Sequence, residues 1–116
     1  MMKYDVLIKE KTKQVIQMLV NEEYDALVMY TNGKRLPKEE IEYAIGDYGC
    51  TIITPPDSVY DELDVIEVDN PAQREWSVRA PLWTREEGRS DLGIELSILE
   101  ENKEDLRVEL DNIIVF

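Results

Sequence analysis

An alternation of hydrophobic and polar positions runs through residues 76–99 and is the most regular pattern in the chain. A period of two is typical of half-buried antiparallel strands. A charged, glycine-containing stretch, residues 84–91, separates the two arms, so the pattern predicts a long β-hairpin. The positions expected to face the interior are Trp76, Val78, Ala80 and Leu82 in the first arm and Leu92, Ile94, Leu96 and Ile98 in the second.

The first fifty residues show helical spacing instead. Apolar residues recur every three or four positions from Asp5 to Val20, with Asp5 as the expected N-cap. A second helix is expected to begin at an Asn21 cap and to end near Asn32-Gly33. A third begins at Pro37, a residue favoured in the first helical turn, and ends at Tyr48-Gly49.

Shorter strands complete the predicted fold. Residues 50–54 are β-branched and precede two prolines, which predicts a brief extended piece, and residues 63–68 contain a strand. A last strand is expected from Leu106 to Val115. The fold class is therefore α+β, with about three N-terminal helices packed on a curved, mainly antiparallel sheet of four or so strands. A chain of 116 residues is expected to form a single domain, 1–116.

This order of elements resembles the cone-like fold of the nuclear-transport-factor-two superfamily, in which helices lie in the concavity of a strongly bent sheet. The resemblance implies bends in the sheet. Pro81 and Gly93 suit such bends, because proline interrupts a strand ladder and glycine tolerates a bulge.

Charge narrows the classes of partner. The chain has 13 basic and 26 acidic residues, a net charge of −13, and no histidine. Such a surface repels nucleic acid and anionic membranes and attracts basic partners, although acidity also serves solubility alone. The acids are densest in residues 57–75, where seven acids accompany one base, whereas a solubility load would be spread more evenly.

Other features of the sequence indicate a cytoplasmic location. No apolar run is long enough to span a membrane, and the first residues do not form a secretory leader. Cys50 is the single cysteine, so it forms no internal disulfide.

Candidate chemistry is sparse, and we expect a protein that is not an enzyme and that has no cofactor and no metal. Cys50 lacks a histidine base and is expected to be a buried, inert thiol. The acids of the 86–91 turn could hold a divalent cation, but their spacing matches no calcium loop, and a structural turn is the preferred interpretation.

Four stretches carry a second resemblance, namely residues 78–92, 110–115, 24–27 and 47–49. Together they resemble a family of small acidic bacterial proteins. Some members are encoded near polymorphic or contact-dependent toxins and are thought to act as immunity proteins. The resemblance implies a role without carrying over a catalytic motif.

Charge and resemblance together predict an immunity-type binding protein that neutralises a basic toxin, most simply a nuclease. The expected partner-binding residues are Asp57, Asp61, Glu62, Asp64, Glu67, Asp69 and the interface anchor Trp83. One alternative is a small-ligand module or enzyme whose pocket is lined by Tyr24, Tyr48 and Trp76. Another is a scaffold that forms a homodimer through the exposed sheet face, including Ile113 and Val115.

Overall fold

The structure, a computed structural model, describes residues 3–33, 35–102 and 105–116. Three helices come first: α1 (Lys3–Val20), α2 (Tyr24–Tyr30) and α3 (Lys38–Tyr48). They are followed by strands β1 (Ile52–Ile53), β2 (Asp64–Val68), β3 (Glu75–Thr84), β4 (Gly88–Asn102) and β5 (Asp105–Val115), with a 3-10 helix (Asp57–Asp61) between β1 and β2. The α+β class is therefore confirmed.

The strands form one five-stranded antiparallel sheet in the order β1-β3-β4-β5. β2 also pairs with β3, so β1 and β2 lie end to end along the same edge of that strand. β1 pairs with residues 83–84 of β3 and β2 pairs with residues 75–79. Pro81 lies in the gap between the two pairings, where a missing N–H breaks no ladder bond.

The register of the hairpin shifts between Pro81 and Trp83, directly after Pro81 pairs with Gly93. The register is thus irregular beside the two residues that the sequence marked as suited to a bend, because proline and glycine both weaken a regular ladder. A second shift lies between Glu95 and Leu96, where Asp111 is the extra residue on β5. Bulges of this kind increase the local twist and bend of a sheet.

Helix and strand faces pack as the periodicity predicts. All eight inward positions of the hairpin are buried, and so is the stripe of α1 formed by Ile8, Thr12, Val15, Ile16 and Leu19. Helix α1 contacts β5, β1 and the 3-10 helix, while α3 contacts β5. The helices therefore cover one face of the sheet. Burial of a large aliphatic side chain contributes roughly 1.5–3 kcal/mol, so this shared face is the main stabilising layer.

Two predicted helix starts are wrong. Asp5 lies inside α1, which already includes Lys3. Asn21 does not cap α2, which begins at Tyr24 after Glu23. Instead, Glu22 has a φ of 57°, and the Glu23 N–H donates to the carbonyl of Met18. This is the Schellman arrangement that ends a helix, so residues 21–22 terminate α1.

The third helix and the last strand agree more closely with prediction. Gly49 adopts the left-handed conformation predicted for the end of α3, with a φ of 76°.

The predicted exposure of Ile113 is wrong, because this residue is buried opposite Ile94. Val115, two positions on, is exposed at the end of β5.

Candidate functional site

Strand β2 is an edge strand that is exposed on both faces. Each of its five residues is exposed, including Val65 at 40%, Ile66 at 61% and Val68 at 36%. Among the described residues, β3 is the only strand paired with it. Val65 is paired with the buried Val78 and so lies on the helix side of the sheet, whereas Ile66 is paired with Ser77 on the opposite side. An unpaired edge with apolar side chains is unusual in a soluble protein unless it has a partner.

The six predicted acids all lie in this part of the molecule. Asp57 and Asp61 bound the 3-10 helix, Glu62 follows it, and Asp64, Glu67 and Asp69 belong to β2 or come directly after it. All six are exposed. We call residues 57–69 the acidic edge.

Three of the six carboxylates form ion pairs within the chain. Lys9 Nζ lies 3.0 Å from Asp61 Oδ1, and Lys13 Nζ lies 3.9 Å from Asp57 Oδ1. Arg74 donates two hydrogen bonds of 3.0 Å to Glu67, which lowers the pKa of that carboxyl group. Glu62, Asp64 and Asp69 form no ion pair with any described residue, so they are the acids free to meet a partner.

Arg74 also stiffens the end of the acidic edge. Its guanidinium group lies 4.7 Å from the Tyr4 ring centroid and 4.9 Å from that of Trp76. The two rings are 5.1 Å apart, and the Tyr4 hydroxyl donates to Glu100. Cation–π contacts of this kind contribute about 0.5–1 kcal/mol at exposed sites. Trp76, only 5% exposed, is thus a core residue, and its contact with Arg74 connects the acidic edge to the core.

An open groove of about 250 Å³ lies on the helix side of the acidic edge. Its walls come from α1, the 3-10 helix and β2, and they combine apolar and charged side chains: Asp5, Ile8, Lys9, Tyr60, Asp61, Leu63 and Val65. Tyr60 and Leu63 therefore form part of its floor. The burial of Tyr60 raises the pKa of its hydroxyl.

Trp83 lies apart from the acids. It is half-buried on β3, where it pairs with Ile53 and Arg89 and packs against the hydrophobic core. The β3 residue paired with Asp64 is Arg79, four positions from Trp83, which corresponds to about 13 Å along a strand. The structure therefore brings the six acids together but does not bring Trp83 to them.

The hairpin turn is held by its own acids. The Thr51 N–H donates to Glu86 at 2.8 Å, and this bond lowers the pKa of Glu86. Glu87 accepts hydrogen bonds from the hydroxyls of Tyr48 at 2.7 Å and Ser90 at 2.8 Å. The turn thus fastens the end of α3 and the start of β1 to the hairpin. No group of three or more potential metal-binding side chains occurs among the described residues.

Cys50 is only half-buried, so the expectation of a buried thiol is wrong in degree. Burial, followed by the nearby charges of Glu86 and Glu87, raises the pKa of the thiol. A raised pKa disfavours the thiolate, which is the nucleophilic form. This environment favours an unreactive cysteine.

The three aromatic residues proposed to line a ligand pocket have different surroundings. Tyr24 and Cys50 border a groove of about 120 Å³ between the helices and β1. The Tyr48 hydroxyl is hydrogen-bonded at the hairpin turn, and the Trp76 ring packs against the Tyr4 ring at a tilt of 37°. The Tyr24 groove is well below the roughly 300–1,000 Å³ of typical ligand pockets.

Sequence reasoning missed a polar cluster on the sheet face away from the helices. Ser97 donates a 2.6 Å hydrogen bond to Asp111, and the Arg35 guanidinium lies 3.4 Å from Asp111 and 3.6 Å from Glu109. Burial raises the pKa of Asp111, although Ser97 and Arg35 partly oppose the shift. The signal was the consecutive polar pair Asp111-Asn112, which interrupts the alternation of β5 and marks the bulge. The cluster attaches the α2–α3 loop to the sheet.

Residues 16–116 match a family described as "Domain of unknown function (DUF7668)". The chain belongs to this family. No curated protein and no solved structure matches it. The matched residues include the whole acidic edge and the hairpin, whereas Asp5, Ile8 and Lys9, which line the groove from α1, precede them. No helix among the described residues is long and apolar enough to cross a membrane.

Proposed function

We propose that this member of the family is a non-enzymatic binding protein of the immunity type, which neutralises a basic toxin domain through the acidic edge. The observation that carries the proposal is the combination on β2 of exposed apolar side chains with nearby carboxylates that form no ion pair with any described residue. The resemblance to bacterial proteins encoded near toxins supports the class of partner. A nuclease fits best, because enzymes that bind nucleic acid present basic surfaces.

Electrostatics supports a role in partner capture. Glu62, Asp64 and Asp69 add their charge to a molecule whose net charge is −13. Complementary charge raises the rate of protein association, and the effect falls as salt screens it over about 8–10 Å. The carboxylates of the acidic edge would also form ion pairs with the cationic groups that the nuclease uses to bind phosphate, and would so block the binding of nucleic acid. Capture and inhibition would then use the same contacts.

The apolar residues of the acidic edge would contribute the lasting affinity that charge alone does not provide. Exposed ion pairs contribute only about 0–1 kcal/mol each, so they give speed and specificity more than lasting affinity. Burying Val65, Ile66 and Val68 against a partner would remove apolar surface from water and slow dissociation. The groove beside Val65 offers room for a partner side chain.

The other two expected functions have less support. A ligand-binding module needs a shared pocket, and Tyr24, Tyr48 and Trp76 have separate surroundings. A homodimer through the sheet face loses the contribution of Ile113, which is buried.

The first prediction concerns charge and association. We expect the Glu62→Lys, Asp64→Lys, Asp69→Lys triple variant to bind the proposed partner, a basic nuclease toxin domain, at least about tenfold more slowly, because steering is reversed. The wild-type rate should also fall about tenfold or more from low to high salt. Stopped-flow mixing measures both rates, and survival of cells that express the toxin reports neutralisation.

A matched control reverses three exposed acids of α3, Glu39→Lys, Glu40→Lys and Asp47→Lys, and so changes the net charge equally. This variant should keep an association rate within about threefold of wild type, since steering depends on charge near the contact. Equal rates for both variants, together with a salt-independent wild type, would refute the proposed function.

A further inference from the structure

The backbone groups on the open side of β2 can be identified from the ladder of β3. Successive residues of a strand direct their N–H and C=O groups to opposite sides. The Glu100 N–H donates to the Arg74 carbonyl at 2.9 Å. The even-numbered residues in this part of β3 therefore direct their backbone N–H and C=O groups toward β4. The Arg85 N–H donates to the Thr51 carbonyl at 2.9 Å, which agrees in placing odd-numbered residues toward the edge that β1 and β2 share.

The register of β2 then assigns its free groups. Its residues Asp64, Ile66 and Val68 are paired with the odd-numbered Arg79, Ser77 and Glu75, so their backbone groups face β3. The alternate residues, Val65 and Glu67, direct their N–H and C=O groups away from the sheet. Within the described parts of the chain, these four groups meet no hydrogen-bonding partner from another element.

We propose that an extended segment of the basic partner adds to β2 as a further strand of the sheet, bonded to the backbone of Val65 and Glu67. This inference rests on the proposed function and specifies how the partner is held. Main-chain bonds to an exposed sheet edge are a recurrent mode of peptide recognition, with alternate side chains giving specificity.

Charge decides between a basic strand and a second copy of this chain. Two copies paired along β2 would bring Asp64, Glu67 and Asp69 close to the same acids of the other copy. Like charges across strands are destabilising, and charged edges commonly prevent self-association. A strand with Lys or Arg meets these carboxylates favourably. The acids therefore exclude the chain itself and admit a basic partner.

The two faces of β2 set the pattern of the incoming strand. Side chains on the helix side would lie beside Val65 and the groove floor of Ile8, Tyr60 and Leu63. Side chains on the other side would lie beside Ile66 and Val68. Apolar residues suit these contacts, and basic residues suit the positions near Asp64 and Asp69. The recognised segment is thus a short strand of mixed basic and β-branched residues.

The test uses the full-length protein and a synthetic peptide, acetyl-Lys-Val-Lys-Val-Lys-Val-Lys-amide. In free protein, amide hydrogen exchange should be slow at Ile66 and Val68, which bond to β3, and fast at Val65 and Glu67. Peptide binding at low salt should slow exchange at Val65 and Glu67 at least about tenfold. A peptide of equal charge with proline in place of valine should not, because it lacks the alternate N–H groups.

Variants at Val65 provide a second measurement. The Val65→Pro variant removes an outward N–H without breaking a bond to β3. It should lower the affinity for the valine peptide at least about tenfold. The Val65→Ala variant keeps the N–H and should lower the affinity for the same peptide no more than about threefold. Exchange in the wild-type protein answers the question even if Val65→Pro fails to fold.

The outcomes separate this inference from the proposed function. If both peptides bind equally and Val65 and Glu67 remain unprotected, strand addition is overturned while charge-based binding of the toxin stands. Failure of the valine peptide to bind at millimolar concentration also overturns it. Protection of Val65 and Glu67 in a peptide-free dimer would show that a second copy occupies the edge, which overturns the assignment of a basic partner.

Discussion

At the scale of single residues, Gly93 shows how a small side chain is required by its surroundings. It is buried opposite Pro81, and the Phe116 ring lies against it. The Arg79 guanidinium lies 5.5 Å from the centroid of the same ring. A Cβ at Gly93 would meet both this ring and the Ala80 carbonyl oxygen, the latter at 2.8 Å. The sequence suggested Gly93 for a bend, whereas its packing against Phe116 was visible only in the structure.

We therefore expect Gly93→Ala to destabilise the protein by about 1–3 kcal/mol, the usual cost of overpacking, since the Ala80 backbone has little freedom to move. Gly46→Ala is the matched control, because Gly46 lies within α3 and its added Cβ would meet nothing within 4 Å. It should stabilise the protein by about 0.5–1 kcal/mol. Urea denaturation measures both changes, and a loss of stability in the control variant alone would contradict the packing argument.

At the scale of elements, the hairpin turn joins parts of the chain that are far apart in sequence. Tyr48, at the end of α3, donates to Glu87, which precedes β4. Ser90 Oγ lies 3.1 Å from the Tyr48 hydroxyl and completes a small network. The sequence predicted a structural turn, because the two strand patterns and the glycine between them are local features that indicate one. The contact with α3 depends on the packing of helices on the sheet.

The third prediction tests this network. The Tyr48→Phe variant should lose about 0.5–1.5 kcal/mol of unfolding free energy, because Glu87 and Ser90 lose a hydrogen-bond partner. In the described part of the chain the Tyr43 hydroxyl has no such partner, and this residue is 71% exposed. Tyr43→Phe should therefore change stability by less than about 0.5 kcal/mol. Thermal unfolding of the two variants compares them directly, and equal losses would count against the network.

At the scale of the whole molecule, acidity both defines the proposed binding surface and opposes compactness. A net charge of −13 on 116 residues produces self-repulsion in the folded state. Ion pairs such as Lys9 with Asp61 and Arg74 with Glu67 offset part of it. Glu62, Asp64 and Asp69 form no ion pair with a described residue and lie close together in the sequence, so they contribute part of the remaining repulsion. We infer that the acidic edge costs stability in the free protein and is relieved by a basic partner.

Salt should reveal this repulsion. We expect the urea midpoint of the wild-type protein to rise as NaCl increases from about 0.02 M to about 0.5 M, because screening weakens long-range repulsion more than contact ion pairs. The Glu62→Lys, Asp64→Lys, Asp69→Lys variant should begin with a higher midpoint and gain less from salt. A wild-type midpoint that falls with salt would show that attractive pairs dominate instead.

The sequence by itself determined the α+β class, the hairpin with its buried face, the inward stripe of α1 and the concentration of acids in residues 57–75. These follow from local periodicity and composition, which are properties of neighbouring residues. Only the tertiary structure decided that Asn21-Glu22 ends α1, that Ile113 is buried and that Trp83 lies apart from the acids. It alone placed β2 on an open edge with two residues whose backbone groups face outward. Strand order and register arise from contacts between distant segments, and no local pattern encodes which side of a strand is left unpaired.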